Sequence, residues 1–293
     1  MRVARRSRFH RILDWSTRSG AFLGLTNMQV MPSRRDVLAF GAGLACWPLA
    51  FSQDDPTGGD PLGSMQYPSL REQTIGKAAA KFSDAVVIKG PAFADDAMNV
   101  PLLVDARGLS AVGGGVAHIR VAVDRNPVRQ VLDFEPLRAL PMLAFRIRME
   151  QASPVRAFVQ TQDGQWHVGS TWVQAAGGGC TVPGATRADG SWSQTLGQVQ
   201  ARFFNNVLEG SRRLRVRVMH PMDTGLVAGI PAFYIEELQL VDGAGQVWWR
   251  LALHEPVSEN PLITFELPPQ AVSGLRLVGR DNNGNRIDAE VGG

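Results

Sequence analysis

The stretch that decides the fold class is residues 155–173, which read VRAFVQTQDGQWHVGSTWV. Its two arms, Val155–Gln160 and Trp166–Val173, are rich in the β-branched and aromatic side chains that strands favour. Between the arms, Asp163-Gly164 is a residue pair typical of a tight hairpin turn. The stretch therefore predicts a β-hairpin made of two antiparallel strands.

Short strands and turns continue on both sides of this hairpin. Apolar residues take alternate positions over 143–149 and over 214–218. A second hairpin is predicted where 233–241 and 247–253 flank the turn residues Asp242-Gly243-Ala244-Gly245. Because long amphipathic helical patterns are scarce, the chain is predicted to be all-β, with two β-sandwich domains.

The composition divides the chain after its leader into four parts. Residues 53–82 are predicted to form an N-terminal segment, which is loose over 53–64 and contains one or two short helices over 65–82, and 83–175 are predicted to form the first sandwich. Residues 176–208 are predicted to be a flexible linker, in which Gly, Thr, Pro, Ala, Asp and Ser dominate 176–192 and a short helix or an irregular connection takes up 193–208. Residues 209–293 form the second sandwich, so the order is sandwich, Gly-Cys linker, sandwich.

Residues 1–52 are predicted to be a twin-arginine signal peptide rather than fold. Ser33-Arg34-Arg35-Asp36-Val37-Leu38 is followed by an uncharged apolar stretch that ends at Phe51. That stretch is shorter than the ~20 residues that span a bilayer. Two alternatives stay open: a retained membrane anchor, and lipidation at Cys46. The start is also open, at Met1, Met28 or Met31. The pattern predicts export to the periplasm and no membrane attachment after cleavage.

The basic charge of the whole chain belongs to this leader. Residues 1–52 hold eight of the 30 basic and two of the 27 acidic side chains. The remainder has 22 basic against 25 acidic side chains and a net charge of −3. We therefore expect no nucleic-acid partner.

Cys180 is the candidate functional residue. The second cysteine, Cys46, lies in the leader, so the exported chain is predicted to have one unpaired thiol. Glycines flank Cys180 and are predicted to form a flexible arm that offers the thiol to another molecule: Gly177, Gly178, Gly179 and Gly184. The alternative is that Cys180 is a small buried hydrophobic residue, which is common for free cysteines.

The local sequence gives this thiol no activating base. No Lys, Arg or His lies within six residues of Cys180, and Arg187 is seven residues away. A catalytic cysteine needs its own base, whereas a carrier thiol can be activated inside a partner's site. No paired carboxylates, phosphate loop or haem attachment motif appears either, so we expect a non-catalytic protein.

Two other patterns were weighed. Met219-His220-Pro221-Met222 has soft ligands for copper, but no second cluster supports a metal, and a strand end with a turn explains it better. Arg213, Arg215 and Arg217 lie on one face of a strand. Such a face is usually solvated, and the alternative is that it meets an acidic partner.

Four motifs follow one another in the last part of the chain: His220-Pro221-Met222-Asp223-Thr224-Gly225, Ile230-Pro231-Ala232-Phe233-Tyr234-Ile235, Pro256-Val257-Ser258-Glu259-Asn260-Pro261 and Asp281-Asn282-Asn283-Gly284. Together they make residues 212–291 resemble SoxZ, one half of the SoxYZ sulfur carrier. Residues 90–101, GPAFADDAMNVP, and the glycine-cysteine segment make the first sandwich resemble SoxY. The order of the halves also resembles a single-chain SoxYZ-like group associated with quinoprotein dehydrogenases.

The resemblance implies two immunoglobulin-like domains, no cofactor, and a cysteine that holds a sulfur-containing intermediate covalently while partner enzymes act on it. The implied partners are periplasmic: Sox-type cytochromes and a hydrolase, or a quinoprotein dehydrogenase and its cytochrome c. In SoxY the cysteine lies at the free C-terminus, whereas here the chain continues through Thr181-Val182-Pro183.

Three functions were compared. The leading hypothesis is a periplasmic carrier of the thiosulfate-oxidation type, with a persulfide or thiosulfonate on Cys180. The second is an accessory binding protein of a quinoprotein (PQQ) dehydrogenase system, in which the thiol is minor. The third, a cysteine-dependent transferase or thiol oxidoreductase, is disfavoured by the missing base.

Overall fold

The structure is a computed structural model that describes residues 55–205, 210–270 and 274–292. The described α-helices are α1 (Tyr67–Ile75), α2 (Ala185–Asp189) and α3 (Trp192–Thr195). The strands are β1 (Ala80–Phe82), β2 (Val87–Lys89), β3 (Phe93–Ala94), β4 (Val100–Asp105), β5 (Val116–Val123), β6 (Gln130–Glu135), β7 (Met142–Ile147), β8 (Ser153–Thr161), β9 (Trp166–Ala175), β10 (Val199–Asn205), β11 (Arg212–Val218), β12 (Ile235–Val241), β13 (Val247–Leu253), β14 (Leu262–Leu267), β15 (Leu275–Asp281) and β16 (Arg286–Val291).

The predicted all-β class is confirmed, and the hairpin that decided it is β8–β9. The strands form two sheets. The larger has the order β1-β9-β8-β5-β6-β13-β12-β15-β16, with β3 also pairing to β9. The smaller has the order β10-β11-β14-β7-β4-β2. Nearly all neighbours are antiparallel; β1 and β3 run parallel to β9.

Both sheets run through the two predicted halves of the chain. In the larger sheet β6 pairs with β13, with Phe134 opposite Leu251. In the smaller sheet β7 pairs with β14, with Leu143 opposite Phe265. One core cluster contains residues of both halves, and the Phe134 ring of the first half packs against the Phe265 ring of the second with centroids 5.7 Å apart. The halves are therefore joined through backbone hydrogen bonds and a shared core, which the two-sandwich prediction did not include.

The N-terminal segment is anchored rather than loose. Asp60 is buried, and its carboxylate pairs with the fully buried guanidinium of Arg156, whose Nη2 lies 2.8 Å from Asp60 Oδ2. Arg156 also pairs with Asp124, at 2.9 Å, and lies over the Tyr67 ring. Burial alone would raise the pKa of Asp60, but hydrogen bonds from Arg156 and Ser64 outweigh burial and lower that pKa.

The region predicted as a linker, 176–208, contains regular structure. It includes α2, α3 and β10, and β10 pairs with β11 along its whole length. The alternation of Val199, Ala201 and Phe203 with more polar neighbours was the local signal for this strand. The linker interpretation was therefore wrong for residues 199–205.

The predicted signal peptide, with Cys46, lies outside the described residues. Within the described ranges, no helix has the length and apolar character needed to cross a bilayer.

Candidate functional site

Cys180 lies on a segment that connects the last strand of the first half to α2. We call residues 176–184 the Gly-Cys segment. The segment leaves β9 at Ala176, whose N–H donates to the Ala94 carbonyl at 3.1 Å. It ends at Gly184, the residue before the first turn of α2.

The first half of the chain holds one side of this segment. The N–H of Gly178 donates to the Glu150 carbonyl at 2.9 Å, and that of Gly179 to the Met149 carbonyl at 3.0 Å. The N–H of Cys180 donates to the Glu150 carboxylate at 3.1 Å. Three successive backbone donors are thus satisfied by residues that directly follow β7.

The second half of the chain holds the other side. The Thr224 hydroxyl donates to the Cys180 carbonyl at 2.7 Å. The buried guanidinium of Arg148 donates to the Val182 carbonyl at 3.1 Å and to the Pro221 carbonyl at 3.3 Å. Arg148 therefore ties the Gly-Cys segment to the 220–225 motif.

The start of α2 is fixed by another motif residue. The Glu259 carboxylate accepts hydrogen bonds from the N–H groups of Ala185, at 2.7 Å, and Thr186, at 2.8 Å. A carboxylate at this position satisfies N–H groups that a helix start leaves without partners. Two of the motifs quoted above, 220–225 and 256–261, thus converge on the Gly-Cys segment.

The four glycines predicted as a flexible arm contribute in two different ways to the packing of the Gly-Cys segment against the rest of the protein. Gly177 and Gly178 have φ of 96° and 76°, in the left-handed region that favours glycine. Gly179 and Gly184 allow close approach. A Cβ on Gly179 would overlap the Ala97 carbonyl oxygen, and one on Gly184 would overlap the Glu259 carboxylate. The glycines let the segment pack closely, and their role in motion stays a prediction.

The Cys180 side chain is buried, with 1% of the residue exposed, so the expectation of an exposed thiol was wrong for this conformation. Burial raises the pKa of the thiol to about 12; the Glu150 carboxylate adds to this, and Arg148 opposes it. At that pKa the thiol is almost wholly protonated at pH 7, whereas a free cysteine ionises with a pKa of about 8.5. Docked in this way, Cys180 is protected from reaction.

Arg148 and Glu150 are the site residues that the sequence did not reveal. They lie 32 and 30 positions before Cys180, and in the alternating pattern of 143–149 Arg148 does not share the apolar positions. Arg148 is nevertheless buried after the end of β7, and burial lowers the pKa of its guanidinium. The sequence around Cys180 contains neither charge, because the fold brings Arg148 and Glu150 to the thiol from a distant part of the chain.

His220 is buried beside this site and does not have the surroundings of a metal ligand. Its Nδ1 accepts from the Met222 N–H at 3.1 Å, and its Nε2 lies 3.5 Å from the Asp281 carboxylate. The Phe233 ring packs against it with centroids 4.4 Å apart. Burial lowers the pKa of His220 to about 4, so the ring is neutral near pH 7. The described residues contain no group of three or more His, Cys, Asp or Glu placed to hold a metal ion.

Comparison with known families assigns the two halves. Residues 71–180 match the family model of the sulfur oxidation protein SoxY, and residues 205–292 match that of the sulphur oxidation protein SoxZ. The chain is a SoxY–SoxZ fusion. The SoxY match ends at Cys180 itself, and the SoxZ match includes both motifs that hold the Gly-Cys segment.

Among solved structures, the sulfur carrier protein SoxY from Chlorobium limicola f thiosulfatophilum is similar to part of the fusion. It shares 23% identity over 36% of this chain and 88% of its own chain, with a TM-score of 0.32. No curated protein matches the chain.

Proposed function

We propose that the SoxY–SoxZ fusion is a periplasmic carrier that holds a sulfur-containing intermediate covalently on Cys180 and presents it to partner enzymes. The observation that carries the proposal is the position of Cys180. It is the last residue of the SoxY match, and both its N–H and its carbonyl are held, by Glu150 from the SoxY half and by Thr224 from the SoxZ half. The periplasmic location rests on the twin-arginine pattern at Ser33–Leu38.

The proposed chemistry is the formation of a sulfur–sulfur bond. The Cys180 thiol loses its proton and bonds to the sulfane sulfur of a thiosulfate-like substrate, which gives a thiosulfonate adduct on the protein. The new bond releases two electrons, which pass to an electron-accepting cytochrome. Hydrolysis of the terminal sulfonate by a partner enzyme then releases sulfate and leaves a persulfide on Cys180. In this scheme the fusion itself supplies the thiol and the docking surfaces, and the partners supply the catalysis.

The buried thiol means that loading requires the Gly-Cys segment to leave its docked position. The docked thiol is shielded and almost wholly protonated, so it is a poor nucleophile. Both ends of the segment are tied to the body, by β9 and by α2, so it would leave as a loop. A partner's site that accepts this loop must admit two strands of backbone, unlike a site that accepts a free C-terminal tail.

A second candidate function is that of an accessory binding protein of a periplasmic quinoprotein dehydrogenase system. The observation that favours it is the same burial of Cys180, because a binding module does not need a reactive thiol. Replacement of Cys180 by serine would then leave the phenotype of the cells unchanged.

Intact-mass measurement tests the proposal. The fusion is purified from cells growing on a reduced sulfur compound, and Cys180→Ser is purified in parallel. We expect masses on the wild-type protein that correspond to added sulfur or a thiosulfonate, that are removed by a reducing agent, and that are absent from Cys180→Ser. A wild-type protein that carries no adduct under any growth condition contradicts the carrier function.

A further inference from the structure

We propose that the outer face of the six-stranded sheet is a docking surface for a protein partner with an acidic face. Its centre is a group of four arginines that we call the arginine patch: Arg146, Arg202, Arg215 and Arg217. The proposal rests on the proposed function, because the partner it identifies is one that receives the Gly-Cys segment.

Strand register brings these arginines together. Arg215 on β11 lies opposite Arg202 on β10. On the other side of β11, Arg217 lies opposite Leu262 of β14. Two adjoining cavities share Arg217 and Leu262; one also contains Arg202 and Arg215, and the other contains Arg146. The four side chains therefore line one continuous, exposed area of the sheet.

The patch is not neutralised within the described part of the chain. No carboxylate there lies within ion-pair distance of its four arginines, whereas their neighbour Arg213 is paired with Glu266. Glu259 is the one acidic residue that lines the two cavities, and its oxygens accept from the first N–H groups of α2. The patch thus retains its positive charge on a chain whose residues 53–293 carry a net charge of −3.

The arrangement of Arg202 and Arg215 is unfavourable without a partner. Like charges directly opposite one another across a strand pair destabilise a sheet. Both guanidinium groups lie over the same ring, that of Phe204, at 5.1 and 5.2 Å from its centroid. The two cations thus lie beside one ring at the surface, where carboxylates of a partner can pair with them.

The patch adjoins the segment that carries the thiol. The cavity that contains Arg146 and Arg217 is also lined by Ala185 and Thr186, at the start of α2 and five residues beyond Cys180. An acidic protein docked on the patch would therefore contact the end of the Gly-Cys segment. Charge complementarity and this continuity both point to a folded protein rather than to a small anion.

Site-specific crosslinking followed by titration tests the proposal. A photocrosslinking amino acid replaces Gln200, which is exposed on β10 opposite Arg217, in the full chain expressed in its own cells. The captured protein is identified, purified and titrated with wild-type chain and with variants in 50 to 500 mM NaCl. We expect R215E/R217E to weaken binding at least 10-fold, and salt to weaken wild-type binding progressively.

Matched variants make the result specific. R276E/R286E reverses two charges on the ten-stranded sheet and is expected to bind like wild type. Cys180→Ser is also expected to bind like wild type, so docking can be confirmed even if Cys180 never carries cargo. If R215E/R217E fails to fold in a thermal melt, R215S/R217S replaces it, with a smaller expected loss.

Three outcomes overturn the proposal. The first is that nothing is captured from Gln200. The second is that the captured protein binds R215E/R217E as tightly as wild type or without salt dependence. The third is that the patch binds heparin, or vesicles containing phosphatidylglycerol, in an arginine-dependent way while no protein is captured.

Discussion

The Cys180 thiol combines two properties that a carrier needs at different times. While the segment is docked, burial and the Glu150 carboxylate keep the thiol protonated. A thiol protected in this way resists oxidation, which the proposed periplasmic location would otherwise favour, because the thiolate is the reactive form. In the proposed loading step the segment leaves this position and the thiol regains the pKa of an exposed cysteine, so that the thiol becomes reactive only after it is released.

Alkylation of Cys180 by iodoacetamide should reveal this protection. We expect the rate to keep rising with pH toward about 12 instead of levelling near pH 9, because the docked thiol ionises only there. The docked state loses stability as pH rises from about 9 toward 12, because undocking frees the thiol to ionise. Glu150→Gln should accelerate alkylation several-fold at pH 8, and Glu72→Gln on α1 should not. A plateau near pH 9 in the wild-type protein would contradict the docked site.

His220 should make stability depend on pH in the acidic range. Its pKa is lowered to about 4 by burial, so between pH 6.5 and 4 the unfolded chain binds a proton that the folded chain does not. The free energy of unfolding should fall by up to about 3 kcal/mol across that range. Urea titrations at several pH values measure this. His220→Gln should remove this dependence of the free energy of unfolding on pH, and His118→Gln should leave it unchanged. If the free energy of unfolding of His220→Gln depends on pH as strongly as that of the wild type, His220 is not the cause.

At the scale of elements, the sequence predicted which residue of the Gly-Cys segment is functional but not how the segment is held. The pattern identified Cys180 as the residue of interest and the glycines as its context. It did not predict docking, because the groups that hold the segment lie 30 positions upstream, at Glu150, and 44 positions downstream, at Thr224. The spacing of residues along the chain does not indicate which distant residues come into contact when the chain folds.

Gly179→Ala tests whether close packing holds the segment. Its Cβ would overlap the Ala97 carbonyl and lie 2.8 Å from the Met149 carbonyl, and neither backbone oxygen can shift easily. We expect the docked state to lose about 1–3 kcal/mol and alkylation of Cys180 at pH 8 to rise about 10-fold or more. Gly243→Ala, where a Cβ would meet no atom within 4 Å, is the control. Equal alkylation rates in the two variants would mean that the segment is not held by this contact.

At the scale of the whole molecule, the individual strands were predictable and their joining was not. Alternation and turn residues gave the β8–β9 and β12–β13 hairpins, since a hairpin is local in sequence. The β6–β13 and β7–β14 pairs join strands more than 110 residues apart. No periodicity specifies such partners, so the continuous sheets and the shared core became visible only in the structure.

The buried Arg156 network should contribute strongly to the stability of this joined body. Arg156→Leu leaves the carboxylates of Asp60 and Asp124 buried without their partner, so we expect the free energy of unfolding to fall by about 3–5 kcal/mol. Arg276→Leu removes an exposed pair with Asp288 and should cost less than about 1 kcal/mol. Urea denaturation compares the two variants. Similar losses would show that the N-terminal segment is not anchored through Arg156.

The most direct test of the carrier function follows labelled sulfur on and off Cys180. Cells are supplied with thiosulfate carrying a heavy sulfur isotope in the sulfane position and are then transferred to unlabelled substrate, and the fusion is isolated at intervals for mass spectrometry of the Cys180 peptide. We expect label that appears on Cys180 and disappears during the transfer period, because a carrier must both gain and lose its cargo. Cys180 that never acquires the label, or that keeps it unchanged after transfer, would contradict the carrier function.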